Sequence, residues 1–145
     1  MGRLLGIDYG DSRIGLALSD PNKIIASPFK TIKNKGNKYV IGLLNEIKIE
    51  KQIELIILGL PIGLNNQDTS QTKKVRLFSG LIQILNIPIV FQDERFSSLS
   101  AEKSLIIQNV KTGHNKNMID EAAAAIFLQQ FIDSKKNKNE KFKMS

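Results

Sequence analysis

The chain has no cysteine and no tryptophan, one histidine, four prolines and a shortage of acidic residues. Without cysteine there is no disulfide, thiol nucleophile or thiolate zinc site, a composition suited to a reducing cytosol. No apolar stretch approaches the roughly 20 residues needed to cross a bilayer. Gly6 and Asp8 interrupt the first apolar run, so neither a leader nor a membrane partner is expected, and the location expected is the cytoplasm. The acidic shortage is 14 Asp and Glu against 21 Lys and Arg, a net charge of +7. Such a surplus favours a polyanionic partner through phosphate neutralisation and counterion release.

A length of 145 residues suits one domain with its own hydrophobic core. Near the start, Leu5 and Ile7 share one face of an extended segment while Leu4, Gly6 and Asp8 share the other. After a turn at Tyr9–Ser12, Ile14, Leu16 and Leu18 alternate with Gly15, Ala17 and Ser19, a strand crowded on one face. The third extended segment, Ile24 to Ile32, contains Pro28 and reads as an edge strand. Val40, Leu43, Leu44 and Ile47 recur at helical spacing between Asn37 and Lys51. Glu54 to Leu60 is nearly unbroken apolar sequence, as expected of a strand buried on both faces. A second helix is marked by Val75, Phe78, Leu81, Ile82 and Leu85, a fifth strand by Ile87 to Phe91, and a third helix starts at Ser97 or Ser98 and runs to about Asn109. A loop at Val110–Asn117 precedes a last helix over Met118–Ile132, and the lysine-rich segment Ser134–Ser145 shows no apolar periodicity and is expected to be disordered. The order βββαβαβαα predicts an α/β domain over 1–133, with a basic tail over 134–145. Its core would be one five-stranded mixed sheet, an antiparallel meander joined to parallel strands, with helices on both faces and ligand sites at the carboxyl ends of the parallel strands.

Acidic residues stand at three suggestive places: Asp8 where the first strand ends, Asp93 and Glu94 where the fifth ends, and Asp120 and Glu121 where the last helix opens. At 100° per residue, Asp120 falls near the centre of the stripe formed by Ala124, Phe127, Leu128 and Phe131, whereas Glu121 lies toward its edge, with Gln129 and Asp133 on the solvent side. A carboxylate in line with an apolar stripe is costly unless paired or metal-bound. Hard oxygen donors from separate elements, without His or Cys, suit Mg²⁺ or Mn²⁺ rather than zinc, and such ions can support in-line displacement at a phosphate. Simpler roles exist for each residue: Asp8 and Asp11 as turn formers, Asp93 as partner of Arg95, and Asp120 as an acidic first-turn residue facing the helix dipole.

The polar segment from Pro61 to Gln71 leaves the fourth strand on the same rim and leads into Lys73, Lys74 and Arg76 at a helix start, an arrangement suited to phosphate contacts. Arg13 and Arg95 each sit beside an acidic motif and are candidates either to orient a carboxylate or to touch phosphate. His114, alone in a polar loop, reads as solvated rather than catalytic. The opening Gly-Ile-Asp-Tyr-Gly also resembles the first phosphate-binding hairpin of the actin, sugar-kinase and Hsp70 ATPases, but those proteins need a second such domain to enclose ATP, which 145 residues do not supply.

Four motifs in order, GIDYGDSRIGLALSD, GLP followed by the polar loop and KKVRLFSGL, QDERFSS with Ala101, and IDEAAAAIFLQQFI, resemble the YqgF (RuvX-like) family of RNase H-like nucleases along nearly the whole chain. The resemblance implies an RNase H-like fold and a metal-dependent nuclease of the bacterial cytoplasm, using Mg²⁺ or Mn²⁺. Family members are associated with maturing the 5′ end of pre-16S ribosomal RNA and have been proposed to resolve Holliday junctions in branched DNA. Carried over by motif, Asp8, Glu94 and Asp120 match the acidic triad. Arg13, Lys73, Lys74, Arg76 and Arg95 are the candidate nucleic-acid contacts, and the protein is expected as a monomer or homodimer. Family members commonly have a glycine where this loop has Asn65-Asn66, and Asn is the residue that best replaces glycine in a left-handed conformation.

Overall fold

In the computed structural model, which describes residues 2–63, 67–93 and 116–143, five strands form one mixed sheet. The strands are β1 (Arg3–Asp8), β2 (Arg13–Ser19), β3 (Ala26–Lys33), β4 (Ile53–Leu60) and β5 (Ile89–Asp93). They lie in the order β3-β2-β1-β4-β5, with the first three antiparallel and β1, β4 and β5 parallel. The edge position of β3 accommodates Pro28, and the register of β2 and β3 slips beside it, between Leu16 and Ala17.

The helices are α1 (Asn37–Lys51), α2 (Ser70–Leu81), continued by a 3-10 turn over Ile82–Leu85, and α3 (Lys116–Lys143). The helix expected between Ser97 and Asn109 lies outside the described residues. On one face of the sheet, Val40, Leu44 and Ile47 of α1 and Val75 and Phe78 of α2 pack on Leu5, Ile7, Ile14, Leu16, Ile56 and Leu58. On the other face, Ala124, Phe127, Leu128, Phe131 and Ile132 of α3 pack on Leu4, Ala17 and Ile57. The strand alternation expected for β1 and β2 is therefore present, and the crowding predicted for Gly15 and Ala17 comes from α3. Burial of β4 on both faces explains its apolar run.

Three details differ from expectation. Leu81 is exposed, because the stripe Val75, Phe78, Ile82 and Leu85 closes the core without it. α3 begins at Lys116, so Asp120 and Glu121 lie in its second turn and not its first. The same helix continues past Ile132 to Lys143, where a disordered segment is expected from the missing apolar stripe. Ser134–Lys143 holds neither Gly nor Pro and is rich in lysine, a good helix former, so the backbone can stay helical past Ile132, where residues 133–136 are exposed. No helix among the described residues is long and apolar enough to cross a membrane.

Candidate active site

β1 ends at Asp8, whose cross-strand neighbour on β2 is Gly15. Alternation puts Asp8 on the face covered by α3, with Leu4 and Gly6. α3 descends onto that face where side chains are smallest. A Cβ added at Gly15 would stand 2.1 Å from the Asp120 carbonyl oxygen and 2.8 Å from the Asp120 Cβ. One added at Gly6 would stand 3.0 Å from the Ala124 carbonyl oxygen. Only glycine permits this approach of helix to strand. Asp120 is thereby seated over the residue paired with Asp8, and two carboxylates from opposite ends of the chain share one end of one face.

The Asp120 carboxylate is held by Arg13, whose Nε donates to Oδ2 at 2.8 Å. Arg13 opens β2 two residues before Gly15, so its side chain emerges on the same face. Glu121 turns the other way: its Oε2 accepts a hydrogen bond from the Thr31 hydroxyl of β3 at 3.4 Å. Helix geometry thus separates the two neighbouring acids, with Asp120 against Gly15 and Arg13 of β2 and Glu121 toward Thr31 of the edge strand β3. Asp120 is also too far along α3 to serve as a first-turn dipole partner.

The turn after Asp8 is braced on two sides. The Asn34 amide donates to the Gly10 carbonyl at 3.0 Å and to the Tyr9 hydroxyl at 3.3 Å, and the Gln71 amide donates to the Tyr9 carbonyl at 3.2 Å. The Tyr9 ring lies 4.4 Å, centroid to centroid, from Phe78 of α2. Next to it, Thr69 and Thr72 form a reciprocal capping box at the start of α2, and the fully buried Thr72 hydroxyl donates to the Pro61 carbonyl. The T-x-x-T spacing from Thr69 to Thr72 was the available sign of this cap.

The expected nucleic-acid contacts divide. Lys73 is exposed at the start of α2. Lys74 pairs with Asp11 at 2.9 Å, and Arg76 grips Asp68 through two hydrogen bonds of 3.0 and 3.3 Å while lying 5.8 Å over the Phe91 ring. Arg13 serves Asp120. Glu94, Arg95 and His114 lie outside the described residues. Asp93 pairs with Leu60 in the β4–β5 register, on the α1/α2 side by alternation. Among the described residues no group of three acidic or histidine side chains gathers closely enough to hold a metal. Asp8 and Asp120, brought to the same end of one face, are hard oxygen donors of the kind suited to Mg²⁺ or Mn²⁺.

Gln129, assigned by periodicity to solvent, has a structural role. Its amide accepts from the Ala26 N–H at 2.8 Å and donates to the Ile24 carbonyl at 3.1 Å, fastening α3 to the edge strand. Asp20 is held below its ordinary value of 3.8 chiefly by the Ile25 and then the Ile24 backbone N–H groups, and Glu54 below 4.5 chiefly by a hydrogen bond from Lys23.

This sheet order, with helices packed on both faces, is an α/β architecture of the RNase H-like fold. Solved structures agree on the fold. Thermus thermophilus RuvC in complex with a Holliday junction substrate superposes with a TM-score of 0.63 at 11% identity, covering 94% of this chain and 97% of that one. The fowlpox virus Holliday junction resolvase gives 0.55 at 14% identity, covering 91% and 99%. The family model described as "RuvX: Holliday junction resolvase" matches residues 2–134. A Clostridioides difficile protein is 41% identical over 94% of this chain and 97% of its own length, and one from Caldanaerobacter subterraneus is 39% identical over 93% and 99%. Both are named as candidate pre-16S rRNA nucleases. The chain belongs to the RuvX family.

Proposed function

We propose that this chain is a metal-dependent nuclease that hydrolyses phosphodiester bonds in structured RNA, acting in 5′-end processing of pre-16S ribosomal RNA in the cytoplasm. The observation that carries the reading is the seating of α3 on Gly15, which sets Asp120 over the cross-strand neighbour of Asp8. The third acid of the set is Glu94, which follows Asp93 in the chain. Glu94 is taken as that third acid on its match to the acidic position of the QDERFSS motif. Asp8, Glu94 and Asp120 would hold Mg²⁺ or Mn²⁺, which when bound supplies Lewis-acid activation of water and neutralises charge on the leaving oxygen.

The protein's own part is placement. β1 fixes Asp8 at the sheet's rim, α3 presents Asp120, and Arg13 fixes the orientation of the Asp120 carboxylate. Lys73 and Arg95 are proposed to engage phosphate, with Lys74 and Arg76 joining them by exchanging their present acidic partners. The nuclease domain is 1–133, and the basic extension adds nonspecific attraction for nucleic acid.

A second reading, cleavage of branched DNA by a homodimer presenting two sites, is favoured by the description of the family model. The deciding experiment presents a pre-16S precursor, a four-way DNA junction and a plain single strand to the protein with Mg²⁺ or Mn²⁺, beside Asp8→Asn. Cleavage of the precursor alone supports the first reading and cleavage of the junction alone the second. Cleavage that survives Asp8→Asn contradicts the site, and tight binding without cleavage by either protein points to a noncatalytic RNA-binding module.

A further inference from the structure

Beside the acidic pair, the ends of β2 and β3 enclose a groove of about 590 Å³ lined by Asp11, Ser12, Arg13, Thr31, Lys33 and Lys35, among others. We propose that this groove carries the phosphodiester backbone of the strand flanking the cleaved bond, with Lys33 and Lys35 as its phosphate contacts. The inference rests on the nuclease reading above and assigns the side of the site by which the substrate leaves.

Position is the first argument. Arg13 and Lys33 are directly opposed in the β2–β3 register, so their side chains emerge on the same face, the one that holds Asp8 and Asp120. Arg13 both lines the groove and holds Asp120, so the groove adjoins the proposed cleavage site.

Charge is the second. Lys33, Lys35 and Arg13 line the groove against one acid, Asp11; Arg13 is paired with Asp120 and Asp11 with Lys74. Glu121, behind Thr31, is hydrogen-bonded to that hydroxyl. Lys33 and Lys35 are exposed, and among the described residues neither has an acidic partner within ion-pair distance. The α2 cations Lys74 and Arg76 are both neutralised within the chain. A strand leaving toward β3 thus meets cations without first breaking an ion pair.

Rigidity is the third. Asn34, between the two lysines, ties the groove to the Asp8 turn through the Gly10 carbonyl, and its own N–H donates to the Ser12 carbonyl at 2.9 Å. Lys35 rests over the Tyr39 ring, 5.3 Å from its centroid. The backbone of the groove and the Lys35 side chain are thus held before substrate arrives, which lowers the ordering cost of binding.

The test uses Asp8→Asn as parent, so that binding is measured without cleavage. Into it are built Lys33→Ala with Lys35→Ala and, as a control of equal charge, Lys23→Ala with Lys51→Ala at the opposite rim of the sheet. Dissociation constants for a pre-16S-derived RNA and a four-way DNA junction are measured across a salt series. Loss of two phosphate contacts lowers the slope of log K against log salt by about 1.4–1.8 and weakens binding roughly tenfold or more near 0.1 M salt. The control pair moves the slope by far less. Loss on the RNA arm alone identifies the backbone as that of RNA, and loss on both arms a shared backbone track. Equal losses in the two double variants, or an unchanged slope in the groove variant, overturn the groove. A parent that binds neither nucleic acid overturns the nuclease reading and the groove with it.

Discussion

The two faces of the sheet are packed on opposite plans. Against α1 and α2 the sheet presents Leu5, Ile7, Ile14, Leu16, Ile56 and Leu58, all branched aliphatics and all nearly inaccessible. Against the first half of α3 it presents Gly6, Gly15 and Ala17, and the helix replies with Ala123, Ala124 and Ala125. Larger side chains fill the rest of that face, Leu4 and Ile57 from the sheet and Phe127, Leu128 and Phe131 from the helix. Stabilisation by burial scales with apolar area, about 25 cal/mol per Å², so the glycine-alanine contact forgoes stability that leucines would supply. It gains proximity, because the backbone of Asp120 reaches the sheet only where no Cβ intervenes. One face holds the fold together and the other places the acids.

That contrast can be broken from either side. Leu58→Ala, on the aliphatic face, is expected to cost about 2–5 kcal/mol in chemical denaturation while leaving the cleavage rate per folded molecule unchanged. A matching fall in that rate would show that the two faces are not separable. Gly15→Ala, on the other face, must push α3 outward, an overpacking cost of about 1–3 kcal/mol. Here the activity of the folded fraction should fall with the shift of Asp120, even under conditions where unfolding is negligible. Retained activity would mean that the close approach does not position the acid. The smallest effect belongs to the turn between β2 and β3, remote from both contacts. The Asp20 carboxylate accepts from the N–H groups of Asn22, Ile24 and Ile25, and its folded pKa is depressed below 3.8. Its stabilisation is therefore complete above the unfolded pKa and disappears as pH falls through the folded one. Asp20→Asn should lower the melting temperature slightly at neutral pH and converge with the unmodified protein in strong acid. Parallel melting curves at all pH values would reject this assignment.

Much of this arrangement was legible from period alone. The alternation in β1 put Asp8 opposite the Leu5 and Ile7 face, and the rotation per residue of α3 set Asp120 and Glu121 toward different neighbours. The small residues of β2 announced a close neighbour without naming it. What escaped were side-chain partnerships between distant segments. Arg13 and Asp120 are 107 residues apart, and nothing local to either distinguishes an arginine that orients a carboxylate from one that awaits phosphate. Gln129 falls on the polar side of its helix by periodicity, yet an edge strand brought unsatisfied backbone groups to it. The lysine-rich end of α3 kept its helix because helical propensity persists where apolar patterning stops.

Asp8 and Asp120, with Glu94, are proposed to form one divalent-cation site. Calorimetric titration of Mn²⁺ and Mg²⁺ into the unmodified protein, Asp8→Asn, Asp120→Asn and the exposed control Asp133→Asn tests it without reference to any substrate. The account predicts binding in the unmodified protein and the control, and a loss of at least tenfold in affinity in each site variant, on the order of that seen when metal-site groups are removed. Indistinguishable titrations in all four proteins would contradict it.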